Sequence, residues 1–126
     1  MNTAQGTAAA APLPGTVLCR DDDIAEGQAR AFSFRKGSAL FEMFVYRYHG
    51  ALHAFVNSCP HAGTPLDWRP GAFFSQDGAY LLCSTHGALF RPEDGVCVSG
   101  PCRGKALTPV PVAVHGEDIK ITAGKS

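Results

Sequence analysis

The chain has 126 residues, and its 11 basic and 11 acidic side chains give a formal net charge of zero. This length provides one domain with one hydrophobic core and leaves no room for a second catalytic domain. The charge balance argues against nucleic acid and against an anionic membrane surface as partners. Five cysteines cannot all pair in internal disulfides, so metal ligation or unpaired thiols are favoured.

Residues 1–15 contain no charged side chain and are predicted to form a flexible tail before a single domain at 16–126. The segment lacks both the basic region and the long apolar stretch of a secretory signal. No apolar run of the chain approaches the roughly 20 residues of a membrane span. The expected location is therefore the cytoplasm, where most thiols stay reduced.

Short β-strands are predicted along most of the remaining sequence. Residues 17–19 form a first strand, and the three aspartates at 21–23 indicate a solvated turn more than a cation site. The stretch 40–48 is rich in aromatic and β-branched residues, which favour strands. Its separation from the apolar residues 52–56 by a short turn at 49–50, with glycine second, predicts a β-hairpin.

The C-terminal part of the chain predicts a second hairpin with its turn at 115–116. Apolar residues alternate on both sides of that turn, at Val110, Val112, Val114, Ile119 and Ile121. No segment shows sustained helical periodicity, so the predicted fold class is all-β, a small antiparallel sandwich or barrel. Residues 58–105 are rich in Gly and Pro and are expected to form an inserted, loop-rich subdomain that a metal centre would help to hold together.

Two segments of this subdomain each contain a cysteine, a histidine and a glycine at short spacing. These residues are Cys59, His61 and Gly63 in the first segment and Cys83, His86 and Gly87 in the second. Two thiolates and two imidazoles suit a tetrahedral zinc site. A [2Fe–2S] centre with two Cys on one iron and two His on the other fits the interleaved order better.

Cys-Pro-His-x-Gly-x-x-Leu at 59–66, Cys-x-x-His-Gly at 83–87 and a later Gly-Pro at 100–101 resemble the three cluster-binding loops of Rieske proteins. The resemblance extends from about residue 17 to residue 121. It implies a Rieske-like fold in which Cys59 and Cys83 bind the inner iron of a [2Fe–2S] cluster. His61 and His86 would bind the outer iron and provide the path for the electron.

The resemblance also implies roles for residues around the ligands. Gly63 and Gly87 would allow backbone N–H groups to approach the cluster sulfurs, and Pro101 would help to close the third side. Leu66 either shields the cluster or is an ordinary core residue. The other cysteines, Cys19, Cys97 and Cys102, are interpreted as small buried residues, with a disulfide or oxidant sensing as the alternative for the last two.

The function implied by the resemblance is that of a soluble one-electron carrier between a reductase and an oxygenase or another terminal oxidoreductase. The sequence contains no catalytic triad, phosphate loop or nicotinamide fingerprint, so no bond-making chemistry is expected of the chain itself. The alternatives are a permanent small subunit of a larger oxidoreductase, such as a nitrite reductase, and a structural zinc module.

The resemblance further predicts a low reduction potential. High-potential Rieske proteins carry a disulfide between their ligand loops and a Ser and a Tyr that donate hydrogen bonds to cluster sulfur. Thr64 and Thr85 stand at the disulfide positions here, and Ala88 and Phe90 stand at the donor positions. Fewer donors disfavour the added electron, which places the potential near the bottom of the roughly −150 to +300 mV span of Rieske centres.

Overall fold

The computed structural model describes residues 10–60, 65–67, 73–83 and 87–123, and their secondary structure is almost entirely β, as predicted. The strands are β1 Val17–Arg20, β2 Ala29–Lys36, β3 Ala39–Tyr48, β4 Ala51–Val56, β5 Leu81–Cys83, β6 Ala88–Phe90, β7 Cys97–Ser99, β8 Val112–His115 and β9 Asp118–Ile121. They form three antiparallel sheets with the strand orders β1-β9-β8, β2-β3-β4 and β5-β6-β7. Within the described ranges, no helix has the length and apolarity needed to cross a membrane.

The central sheet is a meander whose second turn is the hairpin predicted at 49–50. His49 and Gly50 both adopt positive φ angles, 51° and 80°, as a two-residue type I′ turn requires. The carboxylate of Glu26 accepts hydrogen bonds from the backbone N–H groups of His49 and Gly50, at 2.6 and 2.8 Å. These bonds, which favour the charged carboxylate, lower the pKa of Glu26 below its ordinary value.

Strand β3 is buried on both faces, which explains its nearly continuous apolar sequence. Met43 and Val45 point into one core, which they share with residues of β8, β9 and the segment before them. Phe44 and Tyr46 point into a second core, which contains the inserted subdomain. All four side chains are fully buried, so β3 is a common wall between the sandwich and the subdomain.

The C-terminal hairpin has the predicted partners, with Val112 opposite Ile121 and Val114 opposite Ile119. Its two-residue turn lies at 116–117, one position later than predicted, because His115 still pairs with Asp118 at the end of the ladder. The hairpin pairs through β9 with β1. Of the five residues predicted on one face, Ile119 and Ile121 are buried as expected, whereas Val114, next to the turn, is 43% exposed.

The described part of the N-terminal segment contacts the sandwich, although the sequence predicted a flexible tail up to residue 15. Ala10 is buried in the core that contains Met43. The backbone N–H of Gly15 donates to the carbonyl of Ile121 at 2.7 Å. A small side chain and one backbone bond therefore attach residues 10–15 without large apolar groups, while residues 1–9 lie outside the described ranges.

The inserted subdomain contains a small sheet that the sequence did not predict. Its strands have only three residues each, with Leu81 opposite Phe90 and Cys83 opposite Ala88. Strands this short show no recognisable alternation among so many Gly and Pro residues. The subdomain packs on β3 through an aromatic contact, in which the rings of Phe44 and Phe73 stack with centroids 4.2 Å apart.

Candidate metal centre

Two of the four predicted ligands lie in the described residues, and both are buried thiols in one core. Cys59 lies shortly after the end of β4 and is 1% exposed, and Cys83 ends β5 and is fully buried. His61, Gly63 and His86 lie outside the described residues. Within the described part of the chain, no three His, Cys, Asp or Glu side chains converge on a possible metal position.

A buried asparagine connects the two ends of the first ligand loop. The side-chain oxygen of Asn57 accepts a hydrogen bond from the Leu66 N–H at 2.8 Å, and its Nδ2 donates to Asp67 Oδ1 at 2.9 Å. The Asn57 backbone N–H donates to the Glu42 carbonyl on β3 at 2.9 Å. These bonds fix the chain just before Cys59 and just after the loop returns.

Asn57 was not among the predicted site residues. Its only sequence signal is a polar side chain at the end of an apolar strand, next to the ligand segment. Leu66 is fully buried, a position compatible with either of its two predicted roles.

The second ligand segment joins β5, which ends at Cys83, to β6, which begins at Ala88. The Gly87 N–H donates to the Cys83 carbonyl at 2.8 Å, and Gly87 has a φ angle of +72°. Among the described residues, no atom would lie within 4 Å of a Cβ at this position, and the positive φ angle by itself favours glycine. The predicted approach of glycine N–H groups to cluster sulfur remains a prediction.

The third loop packs directly against the second. Gly100 has a φ angle of +102°, and a Cβ atom at this position would lie 2.8 Å from the Ala88 Cα. Only glycine allows this close approach of two backbone segments. The loop therefore lies beside the chain that carries Cys83, and Pro101 is exposed at its surface. Its closing of the third side of a cluster remains a prediction.

A pair of non-ligand thiols lies beneath this third loop. The Sγ atoms of Cys97 and Cys102 are 2.9 Å apart, and both residues are 1% exposed. Cys59 lies in the same buried core as these two thiols. Burial, together with the bond to Cys97, raises the pKa of Cys102 to about 12. The predicted burial of these two cysteines is therefore correct.

The donor set of the described residues fits an iron–sulfur cluster. Thiolates are the protein ligands that such clusters require, and Cys59 and Cys83 present two of them from separate loops on one core. The fold and these residues define the chain as a small all-β domain with two buried thiols in one core and a third loop packed beside them. The Rieske [2Fe-2S] domain family matches residues 15–121, and the chain belongs to this family, whose cofactor is the Rieske-type [2Fe–2S] cluster.

Known relatives agree with this assignment. The ferredoxin component of the p-cumate 2,3-dioxygenase system of Pseudomonas putida is 32% identical over 107 residues, which are 85% of this chain and 84% of the relative. The ferredoxin of carbazole 1,9a-dioxygenase from Nocardioides aromaticivorans IC177 superposes with a TM-score of 0.66 at 23% identity, covering 87% of this chain and 98% of its own. A chain in a complex of reduced oxygenase and oxidized ferredoxin of carbazole 1,9a-dioxygenase gives a TM-score of 0.67 at 25% identity, covering 87% and 94%. The predicted Rieske-like fold is thus confirmed.

Proposed function

We propose that this chain is a soluble one-electron carrier of the cytoplasm, the ferredoxin component of an oxygenase system. It takes electrons from a reductase and delivers them to a terminal oxygenase. The observation that carries this proposal is the 32% identity to the ferredoxin component of the p-cumate 2,3-dioxygenase system, over 84% of that protein. The ferredoxin–oxygenase complex of carbazole 1,9a-dioxygenase, whose ferredoxin chain has the same fold, supports the same kind of partner.

Four residues would hold the cluster, with Cys59 and Cys83 on one iron and His61 and His86 on the other. When bound, the cluster accepts and releases a single electron. The burial of both cysteines keeps water away from the thiolate side. Leu66, fully buried, would shield the same side.

The exposed residues of the second and third loops are proposed as the docking surface for redox partners. Gly87, Gly100 and Pro101 are all exposed. The charged residues of 58–105 balance, as four acidic and four basic side chains: Asp67, Asp77, Glu93, Asp94, Arg69, Arg91, Arg103 and Lys105. A partner would therefore recognise this surface by shape and apolar contact, over the small interface typical of transient redox complexes.

The residues around the second loop support a low reduction potential. Ala88 and Phe90 are fully buried and carry no hydroxyl group that could donate to cluster sulfur. We therefore expect a potential in the lower part of the roughly −150 to +300 mV span. Direct voltammetry that gives a value above about +100 mV, well inside that span, would contradict this part of the proposal.

The identity of the cofactor is tested by metal analysis of the purified full-length chain. The expected result is iron and acid-labile sulfide in equal amounts, with a visible spectrum that changes on addition of one electron per chain. His86→Ala should abolish the iron content, and His115→Ala, in an exposed position near the last turn, should retain it. Colourless wild-type protein with one bound zinc ion would refute the proposal.

The role as a carrier is tested by the state in which the protein purifies from its native host. A stable chain that is not bound to another protein, and that is reduced by a flavoprotein reductase and reoxidised by an oxygenase, supports the carrier. Purification in a permanent complex with a large flavin-bearing protein would instead establish a subunit of a larger oxidoreductase.

A further inference from the structure

Cys97 and Cys102 are held together by the backbone around them. Their Sγ atoms are 2.9 Å apart, and a disulfide of about 2.05 Å would need a movement of only about 0.9 Å. Cys97 N–H donates to the Lys105 carbonyl at 2.7 Å, Gly104 N–H donates to the Cys97 carbonyl at 3.1 Å, and Lys105 N–H donates to the Cys102 carbonyl at 2.9 Å. The turn therefore presents the two thiols to each other.

We propose that Cys97 and Cys102 form a reversible oxidation site, at which hydrogen peroxide converts the two thiols into a disulfide beside the cluster. Two thiol S–H bonds and the peroxide O–O bond break, one S–S bond and two molecules of water form, and two electrons pass from sulfur to oxygen. A small-molecule dithiol reverses the reaction by thiol–disulfide exchange. This inference does not depend on the proposed electron-transfer partners.

A third thiol, that of Cys59, lies near this pair and raises the question of which two thiols would react. Cys102 donates a hydrogen bond to Cys97, and Cys59 lies in the same buried core. In the loaded protein the Cys59 sulfur would be bound to iron, which leaves Cys97 as the partner for Cys102. Both thiols are buried, so a small oxidant is required and the reaction should be slow.

Closing the disulfide would change the loop beside the cluster. It would enclose Gly100 and Pro101 in a covalent ring, and this loop packs against Ala88 in the second ligand segment. The oxidised protein should therefore have a different reduction potential from the reduced protein.

Mass spectrometry of the iron-loaded chain tests the proposal directly. The chain is treated with hydrogen peroxide, quenched with catalase, unfolded in iodoacetamide and digested with trypsin and a Glu-specific protease. The fragment 94–103 contains Cys97 and Cys102 and no other cysteine. We expect it to lose two hydrogens, to resist alkylation, and to recover both alkylation sites after treatment with dithiothreitol.

Controls within the same chain separate this site from general oxidation. Fragment 1–20 contains Cys19, which is partly exposed and reports whether the oxidant reached the protein. In Cys97→Ser, peroxide should leave the potential unchanged, whereas in the wild type and in Cys19→Ser the potential should shift. The proposal is overturned if fragment 94–103 stays fully alkylated while Cys19 is oxidised. It is also overturned if the disulfide forms only in chains that have lost their iron.

Discussion

The sandwich and the inserted subdomain reach their structures by different means. In the sandwich, β2 and β3 pair at eight consecutive positions, and alternating side chains fill the core between the sheets. In the subdomain, the three strands have only three residues each, individual glycines shape the turns, and the side chain of Asn57 holds the two ends of the first loop together. Many equivalent contacts therefore specify the sandwich, whereas a few individual groups specify the site.

The two regions nevertheless share a wall. The subdomain core contains Phe44 and Tyr46 of β3 and Phe55 of β4, together with four cysteines of the chain. The hydroxyl of Tyr46 donates to the Pro92 carbonyl of the subdomain at 2.6 Å. The metal centre is therefore not the only support of residues 58–105, which the sequence had suggested were weakly held by their own core.

The largest expected effect is the loss of the metal centre when a thiol ligand is removed. Cys83→Ser should abolish iron binding, because serine is a much poorer ligand for iron than thiolate. Hydrogen exchange should then accelerate in β5, β6 and β7 while β3 stays protected, because metal binding energy is also folding energy for this region. Cys19→Ser, on β1, is the control and should retain iron.

Equal acceleration in all three sheets of Cys83→Ser would contradict the division into two regions. It would mean that the sandwich also depends on the cluster for its stability. Unchanged iron content in this variant would instead remove Cys83 from the ligand set.

The neighbouring residues Met43 and Phe44 point to opposite faces of β3. Phe44→Ala and Met43→Ala each remove a fully buried side chain and should each cost about 2–5 kcal/mol of unfolding free energy. Of these two residues, Phe44 is the one in the core of the subdomain, where its ring stacks on Phe73. Iron retention under a chelator should therefore fall more in Phe44→Ala than in Met43→Ala, and equal retention would show that the shared wall does not support the site.

The sequence predicted the sandwich better than the subdomain, because the sandwich depends on local signals and the subdomain on contacts between distant residues. The hairpin at 49–50 and the pairing of Val112 with Ile121 follow from alternation and turn chemistry, which are local signals. The turn at 116–117 was predicted one residue too early, because the ladder extends to His115 and Asp118. Cys59 and Cys83 lie in one buried core, and their predicted roles as cluster ligands stay predictions.

The sheet β5-β6-β7 and the role of Asn57 were not predictable in this way. The sheet has too few residues per strand to show a period, and its packing depends on the distant Phe44. Asn57 connects Glu42, Leu66 and Asp67, which come together only in the folded chain. The meeting of Cys59 with Cys97 and Cys102 in one core is equally non-local.

A smaller effect is expected from Asn57→Ala. The variant leaves the buried N–H of Leu66 without its acceptor, which should cost about 1–3 kcal/mol. The first ligand loop should also release iron faster to a chelator. Ser33→Ala, at an exposed position of β2 with one long hydrogen bond, is the control and should change stability by no more than about 0.5 kcal/mol. If Asn57→Ala matches this control in both measurements, the asparagine does not fix the loop.

The smallest expected effect concerns pH at the boundary between the regions. His53 on β4 stacks on Tyr46 with ring centroids 5.2 Å apart, and its burial lowers the pKa of the imidazole below 6.5, against a weaker opposing effect of Glu93. Because the folded state favours the neutral ring, the unfolded chain binds more protons as pH falls through about 6.5. Titration of His53 therefore leaves the free energy of unfolding unchanged above that pH. It lowers the free energy of unfolding as pH falls through it, and lowers it no further below the folded-state pKa.

Solvent screens this partly exposed ring, so the loss should stay below about 1 kcal/mol. Urea unfolding over about pH 5 to 8 measures it as the difference between the wild type and His53→Gln, because the other titrating groups cancel. The wild type should lose stability towards low pH more steeply than His53→Gln, and His115→Gln, at an exposed position of β8, should follow the wild type. Parallel curves for the wild type and His53→Gln would show that protonation of this ring does not disturb the packing between the sandwich and the subdomain.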